Sequence, residues 1–174
     1  VSIVIADCPS RCKHGDCEND VCKCHHNWGG DDCSLFDAEL NPGRHTSGSV
    51  NQGQWKYFHT EVTSTDVTYT WWLNETDESA EQDCDLYLMY NQFPSLYFFD
   101  QRNITGHKYS TLTLTAPKVG KYYAGIFGFT PCHFYIGVNV STSCTDNCNG
   151  NGNCVDGKCR CKDGFAGATC EHTV

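Results

Sequence analysis

The sequence predicts an all-β chain, with one antiparallel β-sandwich flanked by two small disulfide-rich modules. Two strings of six cysteines lie near the two ends of the 174 residues. Between them, short runs rich in Thr, Tyr, Phe and Val are separated by turn residues at roughly ten-residue spacing, which is typical of sandwiches. No stretch shows the apolar period of an amphipathic helix.

The two cysteine strings, at residues 8–33 and 144–170, have nearly the same spacing. The gaps between successive cysteines are 3, 4, 4, 1 and 8 residues in the first string and 3, 5, 4, 1 and 8 in the second. Two strings that differ by one residue in one gap, at opposite ends of one chain, indicate a duplicated module.

The cysteines also indicate the compartment. Cytosolic thiols are kept reduced, so fourteen cysteines at this density predict disulfides and an extracellular location, whether secreted or on a cell surface. Zinc sites need paired CxxC or Cys/His clusters, and the C-x-C pairs here do not have that spacing.

Charge and hydropathy exclude several classes of partner. The net charge is −9, and the 12 Lys and Arg are scattered, which argues against nucleic-acid binding. No apolar run approaches ~20 residues, so no membrane span is expected in this segment. Because neither an initiator Met nor a signal peptide is present, we expect a processed form or a segment of a longer protein.

Both strings contain the motif C-x-C-x2-[Gly or Asn]-aromatic-x-Gly-x2-C, with Asn27-Trp28 in the first and Gly164-Phe165 in the second. They resemble EGF-like modules of the tenascin type. The resemblance implies first–third, second–fourth and fifth–sixth pairing, whereas spacing alone leaves 15 connectivities per module. The implied disulfides are Cys8–Cys17, Cys12–Cys22, Cys24–Cys33, Cys144–Cys154, Cys148–Cys159 and Cys161–Cys170. The calcium-binding subtype's motif is absent, and we expect no cofactor.

Residues 1–7, VSIVIAD, form an apolar β-branched run before the first module, as Phe134–Ser143 does before the second. We expect residues 1–7 to be the last strand of a preceding sandwich in an alternating array. Two alternatives remain open: a strand that pairs with this chain's own sandwich, and a donor strand for a neighbouring molecule.

Residues 34–48 are predicted to be a linker, residues 49–143 the sandwich, and residues 171–174 the start of a next linker. Alternation places Trp71 and Leu73 on the inner face and Asn139 on the outer face. The predicted strands are 54–62, 66–74, 84–90, 96–99, 109–116, 121–129 and 133–141.

Two phrases in the sandwich carry a second resemblance: Asp83-x-Asp85-Leu86-Tyr87, and Pro117-x-x-Gly120-x-Tyr122-Tyr123 with Pro94. They are similar to the pre-peptidase C-terminal domain family, which implies a jelly-roll-like sandwich that accompanies secreted enzymes without being catalytic. Cys84 and Cys132 lie between the two strings, and we expect them to form one further disulfide.

Three N-X-Ser/Thr sequons begin at Asn74, Asn103 and Asn139, and in a secreted eukaryotic protein such tripeptides accept N-glycans when exposed. Trp72 alternates outward and is a candidate ligand contact. Two acidic groups are candidates for Ca²⁺, although solvated turn carboxylates are the simpler interpretation. They consist of Asp31, Asp32 and Asp37, and of Asp83 and Asp85.

The sequence predicts no enzyme, because it contains no catalytic motif and no cysteine is left over as a nucleophile. We expect an extracellular structural or adhesive unit, one repeat of a glycosylated filament, matrix or stalk protein, whose partners are its own copies or neighbouring repeats end to end. The alternatives are a ligand- or carbohydrate-binding receptor ectodomain and a non-catalytic accessory region of a secreted hydrolase.

Overall fold

The computed structural model describes residues 8, 11–76, 81–142, 144–155 and 157–174. Within them the chain is almost entirely β-structure, which confirms the predicted fold class. Residues 1–7, for which three pairing arrangements were predicted, lie outside the described residues.

The first cysteine module is a hairpin followed by a short strand. Strands β1 (Gly15–Glu18) and β2 (Val21–Cys24) pair antiparallel across a turn at Asn19 and Asp20, both at positive φ. Asn and Asp tolerate this conformation better than other non-glycine residues. Strand β3 (Trp28–Gly29) follows.

Among the described residues, the sandwich contributes nine strands to two sheets, and β3 of the first module adds a tenth. In chain order they are β4 (Leu35–Glu39), β5 (His45–Val50), β6 (Trp55–Val62), β7 (Thr68–Glu75), β8 (Cys84–Tyr90), β9 (Gln101–Asn103), β10 (Tyr109–Thr115), β11 (Gly120–Gly128) and β12 (Cys132–Ser141). The four-stranded sheet has the order β10-β7-β12-β5, and the six-stranded sheet has the order β3-β4-β6-β11-β8-β9.

Among the described residues, the second module consists of a turn segment, Thr145–Gly150, in which Asp146–Asn149 have positive φ, and four strands. Strands β13 (Gly152–Val155) and β14 (Lys158–Cys161) form a hairpin like that of the first module. Strands β15 (Phe165–Ala166) and β16 (His172–Thr173) pair after it.

The predicted linker at residues 34–48 is wrong. Strand β4 runs through it and pairs in parallel with β6, with Ala38 opposite Phe58, and β5 pairs antiparallel with β12. The polar run of β5, HTSGSV, has the composition of a turn, but it lies at a sheet edge with only Val50 fully buried. Strand β16 likewise replaces the predicted start of a linker at 171–174.

The predicted strand at residues 96–99 is also wrong. This apolar run forms an exposed turn, and the strand lies further along, at β9. A short apolar run predicts a strand from sequence, but here Leu96, Tyr97 and Phe98 are exposed. Phe99 packs edge-on against Tyr87, and the adjoining Phe93 and Pro94 pack against the sheet.

The core lies between the sheets and is largely aromatic and branched aliphatic. Trp71, Leu73, Ile136 and Val138 contribute from the four-stranded sheet, as their alternation predicted. Asn139 is exposed on the outer face, also as predicted.

A buried threonine joins both sheets and the entering strand. The Thr60 hydroxyl donates to the Leu40 carbonyl at 2.8 Å and accepts from the Trp71 indole Nε1–H at 3.3 Å. Thr60 and Trp71 are both fully buried, so neither polar group has water as a substitute. Burying a polar group is favourable only when its partner is present.

Replacing Thr60 by Val keeps the side-chain shape and leaves the Trp71 N–H and one lone pair of the Leu40 carbonyl unpaired. We expect Thr60→Val to lower the free energy of unfolding by about 1–3 kcal/mol, measured by denaturant unfolding. The exposed pair Thr70–Thr113 supplies the control, Thr113→Val. Equal effects of the two substitutions would contradict the assigned role of Thr60.

Candidate functional site

Three carboxylates lie at one end of the sandwich, where β7 ends and β8 begins. Glu75 is the last residue of β7, and Asp83 and Asp85 flank Cys84. The Cys84 N–H donates to Glu75 Oε1 at 2.7 Å. The disulfide Cys84–Cys132 holds the start of β8 against the start of β12. Sequence reasoning found the two aspartates but missed Glu75, which is distant from the motif and belongs to another strand.

The pKa of Asp85 is raised to about 6, chiefly by burial and also by the charges of Asp83 and Glu75, whereas Arg102 lowers it. Burial also raises the pKa of Glu75. These two side chains are 7% and 5% exposed, so water does little to stabilise their charges. The corner is therefore suited to holding a proton close to neutral pH.

Two oxygens of this corner, Glu75 Oε2 and Asp83 Oδ1, are buried without a hydrogen-bond partner among the described residues. The three carboxylates nevertheless do not converge on one point. Among the described residues, the only groups of three ligand atoms within 4.8 Å of one another are cysteine sulfurs, and all of these are in disulfides.

A cavity of about 560 Å³ opens beside this corner, on the outer face of the six-stranded sheet. Asp83 and Asp85 contribute its carboxylates, and apolar side chains form most of the rest. The lining is Gln52, Gly53, Asp83, Asp85, Tyr87, Leu96, Ile104, Phe127, Gly128 and Phe129. None of these residues carries a positive charge.

The loop between β8 and β9 covers the neighbouring part of this face. Phe93 packs against Tyr57 and Tyr123, with ring centroids 4.7 and 4.5 Å away, and Pro94 is fully buried. The Tyr57 hydroxyl donates to the Pro94 carbonyl at 3.0 Å. Burial raises the pKa of Tyr57 to about 12, so the hydroxyl keeps the proton that it donates.

The tip of this loop, Ser95–Phe98, projects into solvent. We call it the aromatic tip. Tyr97 is 86% exposed and Phe98 is 71% exposed. The Ser95 hydroxyl accepts from the Phe98 N–H at 3.1 Å, and the Ser95 N–H donates to the Phe98 carbonyl at 2.8 Å. The two rings are therefore presented by a hydrogen-bonded turn on a buried root.

The first candidate calcium group is dispersed in the structure. Asp31 is exposed, and Asp32 accepts a hydrogen bond from the Ser34 N–H at 3.1 Å. Asp37 Oδ1 lies 2.7 Å from His59 Nδ1, across the pairing of β4 and β6. The structure does not bring these three carboxylates together.

Trp72 faces outward but does not form a free platform. Its indole lies flat over Gly137, where a Cβ would be 2.4 Å from the ring, and His45 lies beside it with centroids 6.0 Å apart. The side chain is half-buried. Its role is to cover the outer face of the four-stranded sheet.

The three sequons occupy different places. Asn74 and Asn139 are exposed on the outer face of the four-stranded sheet, on the neighbouring strands β7 and β12. Asn103 lies on β9, and its side chain donates to the Thr111 carbonyl on β10, at the edge between the two sheets. Its Oδ1 accepts from the Thr105 hydroxyl at 2.8 Å.

All fourteen cysteines are in disulfides, and their partners in the structure are those that the resemblance implied, together with Cys84–Cys132. Gly15 and Gly152 occupy the same place in the two modules, because a Cβ at either would lie 2.7 Å from the sulfur of the module's last cysteine.

Among the described residues, no helix has the length and apolarity needed to cross a membrane.

Comparison with known proteins gives matches to both kinds of unit. Residues 144–173 match the family model described as teneurin-like EGF domain. The chain is 27% identical over 186 aligned positions to putative protein tag-53 of Caenorhabditis elegans, covering 98% of this chain and 13% of that protein. Teneurin-1 of the same organism is 55% identical over 31 positions, and human teneurin-1 is 46% identical over 33; each match covers 1% of the teneurin.

A solved structure of the pre-peptidase C-terminal domain of collagenase from Bacillus anthracis aligns with a TM-score of 0.47 and 13% identity, covering 60% of this chain and 96% of that one. Of the curated relatives that it matches, the chain spans only a small part, 13% of tag-53 and 1% of each teneurin-1.

The acidic corner predicts a pH dependence of stability. Because the folded-state pKa of Asp85, about 6, lies above the unfolded value near 3.9, the folded state binds its proton more tightly. The contribution of Asp85 to the free energy of unfolding is therefore fully present below about pH 4, and it is lost as the pH rises through about 6.

Between pH 4 and pH 7, the free energy of unfolding should fall in the wild type but not through this group in Asp85→Asn, whose side chain remains neutral. We expect the two losses to differ by up to about 3 kcal/mol. Denaturant unfolding at a series of pH values measures this, and Asp66→Asn, at an exposed position, is the control. Parallel curves for Asp85→Asn and wild type would show that Asp85 ionises normally.

Proposed function

We propose that this chain is a unit of an extracellular structural or adhesive protein, in which EGF-like modules alternate with β-sandwiches. The supporting observation is that the two cysteine modules repeat one backbone path, and that in the first module this path leads into the sheet of the sandwich. The matches of residues 144–173 to teneurin-like EGF sequences support the EGF-like assignment.

The correspondence extends to single hydrogen bonds. Trp28 pairs with Phe36 as Phe165 pairs with Thr173, 137 residues further along. Four backbone N–H to carbonyl bonds of the first module recur in the second with the same lengths. They are His25→His14 and Lys162→Asn151 (2.8 Å), Trp28→His25 and Phe165→Lys162 (3.1 Å), Cys33→Gly30 and Cys170→Gly167 (3.2 Å), and Asp37→Asn27 and Val174→Gly164 (2.9 Å).

Val174 therefore occupies the place of Asp37, the residue at which β4 begins its parallel pairing with Tyr57 of β6. In the first module this junction is well packed. Phe36 contacts Trp28 edge-on on one side and Phe58 of the core on the other. The second module has the backbone geometry that such a junction needs, so an alternating array can be built from one repeated joint.

An array of this kind suits a structural role. Disulfides in a short module replace the hydrophobic core that ~27 residues cannot build, and each stabilises the fold by ~2–4 kcal/mol. A junction made by a shared strand limits bending between module and sandwich. Exposed asparagines on the opposite sheet offer places for glycans, and the proposal involves no catalytic step.

The alternative function, a ligand-binding ectodomain, gains its support from the 560 Å³ cavity rather than from Trp72. A well-formed, largely apolar cavity with a few polar groups is the usual form of a binding site. Carbohydrate stacking on Trp72 is disfavoured, because that ring already lies against the backbone at Gly137.

A tandem protein tests the array. In it, residues 34–174 follow Cys170 directly, so that the strand Leu35–Glu39 follows the second module. We expect the second sandwich to dock as the first does, giving a rod whose parts tumble together in ¹⁵N relaxation measurements. The matched variant carries Asp37→Pro in the second copy. Proline lacks the N–H that would donate to the Gly164 carbonyl, the counterpart of the Asn27 carbonyl in the first module.

The proposed array is wrong if the tandem protein and its proline variant behave alike, with the second sandwich tumbling independently in both.

Secretion from eukaryotic cells tests the glycan coat. We expect glycans at Asn74, Asn103 and Asn139, because their side chains reach the surface. Each Asn→Gln substitution should remove one glycan from the intact mass, whereas Asn41→Gln, outside any sequon, should remove none. An intact mass that does not change on enzymatic removal of N-glycans would refute the coat.

A further inference from the structure

Among the described residues, no ring contact or hydrogen bond involves the side chains of Tyr97 and Phe98 in the aromatic tip. Soluble proteins seldom hold two large adjacent rings in water unless they meet another surface. Here the backbone that carries the rings is held by the Ser95 turn and by the buried Pro94, so little loop ordering would oppose binding. Phe129, 61% exposed, and Ile104, 47% exposed, extend the apolar surface beyond the tip.

The tip and the cavity lie side by side, because Leu96 belongs to both. A two-fold interface uses the same patch on both copies, so the patch must be self-complementary. A projection beside a recess meets this condition when the recess accepts the projection of the other copy. We propose that two copies of this chain associate through the outer faces of their six-stranded sheets, each inserting its aromatic tip into the other's cavity.

The chemistry of the two parts is complementary. The cavity has apolar walls at Phe127, Phe129 and Ile104, and a volume of about 560 Å³, which accommodates two aromatic side chains. Its charged groups, Asp83 and Asp85, are acceptors when ionised. Asp85 is 93% buried, and no hydrogen bond from the described residues ends on its carboxylate. The tip supplies a hydroxyl donor, at Tyr97.

The position of the sequons agrees with this assignment. Asn74 and Asn139 lie on the outer face of the other sheet, and the Asn103 side chain is directed towards β10. Glycans at these positions would therefore grow away from the cavity face. This lateral contact is separate from the end-to-end array proposed above, and either can exist without the other.

The area predicts a weak dimer. Fully burying an aromatic side chain removes 150–250 Å² from water, so the exposed parts of Tyr97, Phe98 and Phe129 amount to roughly 500 Å² per copy. Standard interfaces bury about 800 Å² per partner. The chain carries a net charge of −9, so two copies repel at low salt. Association should therefore strengthen as salt is added.

Sedimentation equilibrium of the full chain, from about 1 μM to 1 mM, tests the proposal. We expect a reversible monomer–dimer equilibrium that added salt strengthens. Tyr97→Ser with Phe98→Ser should weaken dimerisation at least ~30-fold, as loss of one aromatic hot spot does. The matched control, Tyr109→Ser, removes an exposed ring (58%) from the other sheet and should leave dimerisation unchanged.

A mixing experiment tests the exchange of tips. One variant lacks the tip rings (Tyr97→Ser with Phe98→Ser), and the other has a damaged cavity wall (Phe129→Ser). Neither should form homodimers, but a mixture should form a heterodimer, because one intact tip still meets one intact cavity. Thermal unfolding of each variant verifies the fold.

A chain that remains monomeric at the highest concentration overturns the proposal. So does a dimer that is unaffected by loss of the tip, a dimer that salt weakens, or a mixture of the two variants that fails to associate.

Discussion

Strand β4 joins the first cysteine module to the sandwich, because it pairs with a strand of each. One edge pairs with Trp28–Gly29 of the first module, and the other pairs in parallel with β6 of the sandwich. Its residue Phe36 contacts aromatic rings on both sides. Just beyond it, the Leu40 carbonyl accepts the Thr60 hydrogen bond that also holds Trp71. A small disulfide module thereby becomes an extension of a sheet, rather than a separate body on a flexible linker.

The two outer faces of the sandwich differ in what covers them. On the four-stranded sheet, Trp72 lies flat on the backbone and two sequon asparagines point outward. On the six-stranded sheet, a folded loop packs Phe93 and Pro94 against the strands and leaves its aromatic tip beside a cavity. The proposed glycans and the proposed contact between copies therefore involve opposite faces of the sandwich.

Most of the fold could be predicted wherever local pattern and burial agree. The long strands β6, β7, β10, β11 and β12 have the apolar or aromatic runs that a half-buried strand requires. Strands β4 and β5 were not predicted, because pairing rather than composition makes them strands. Strand β4 is ordered by its parallel pairing with β6, and β5 by its pairing with β12 at a sheet edge. The run at 96–99 was wrongly predicted as a strand for the opposite reason, since three of its four apolar residues, Leu96, Tyr97 and Phe98, are exposed. In the candidate site, Asp83 and Asp85 were predicted, but Glu75, Phe129 and the aromatic tip were not, because they come from different strands and loops.

The sequence by itself determined the all-β class, the duplicated cysteine modules and the outward direction of Asn139, because cysteine spacing and two-residue alternation are local properties of the chain. Three features emerged only from the tertiary structure: the first module shares a strand with the sandwich, Glu75 lies at the same end of the sandwich as Asp83 and Asp85, and the aromatic tip stands beside a cavity. Each of these depends on contacts between residues far apart in sequence, and no local pattern encodes which distant strand will become a neighbour.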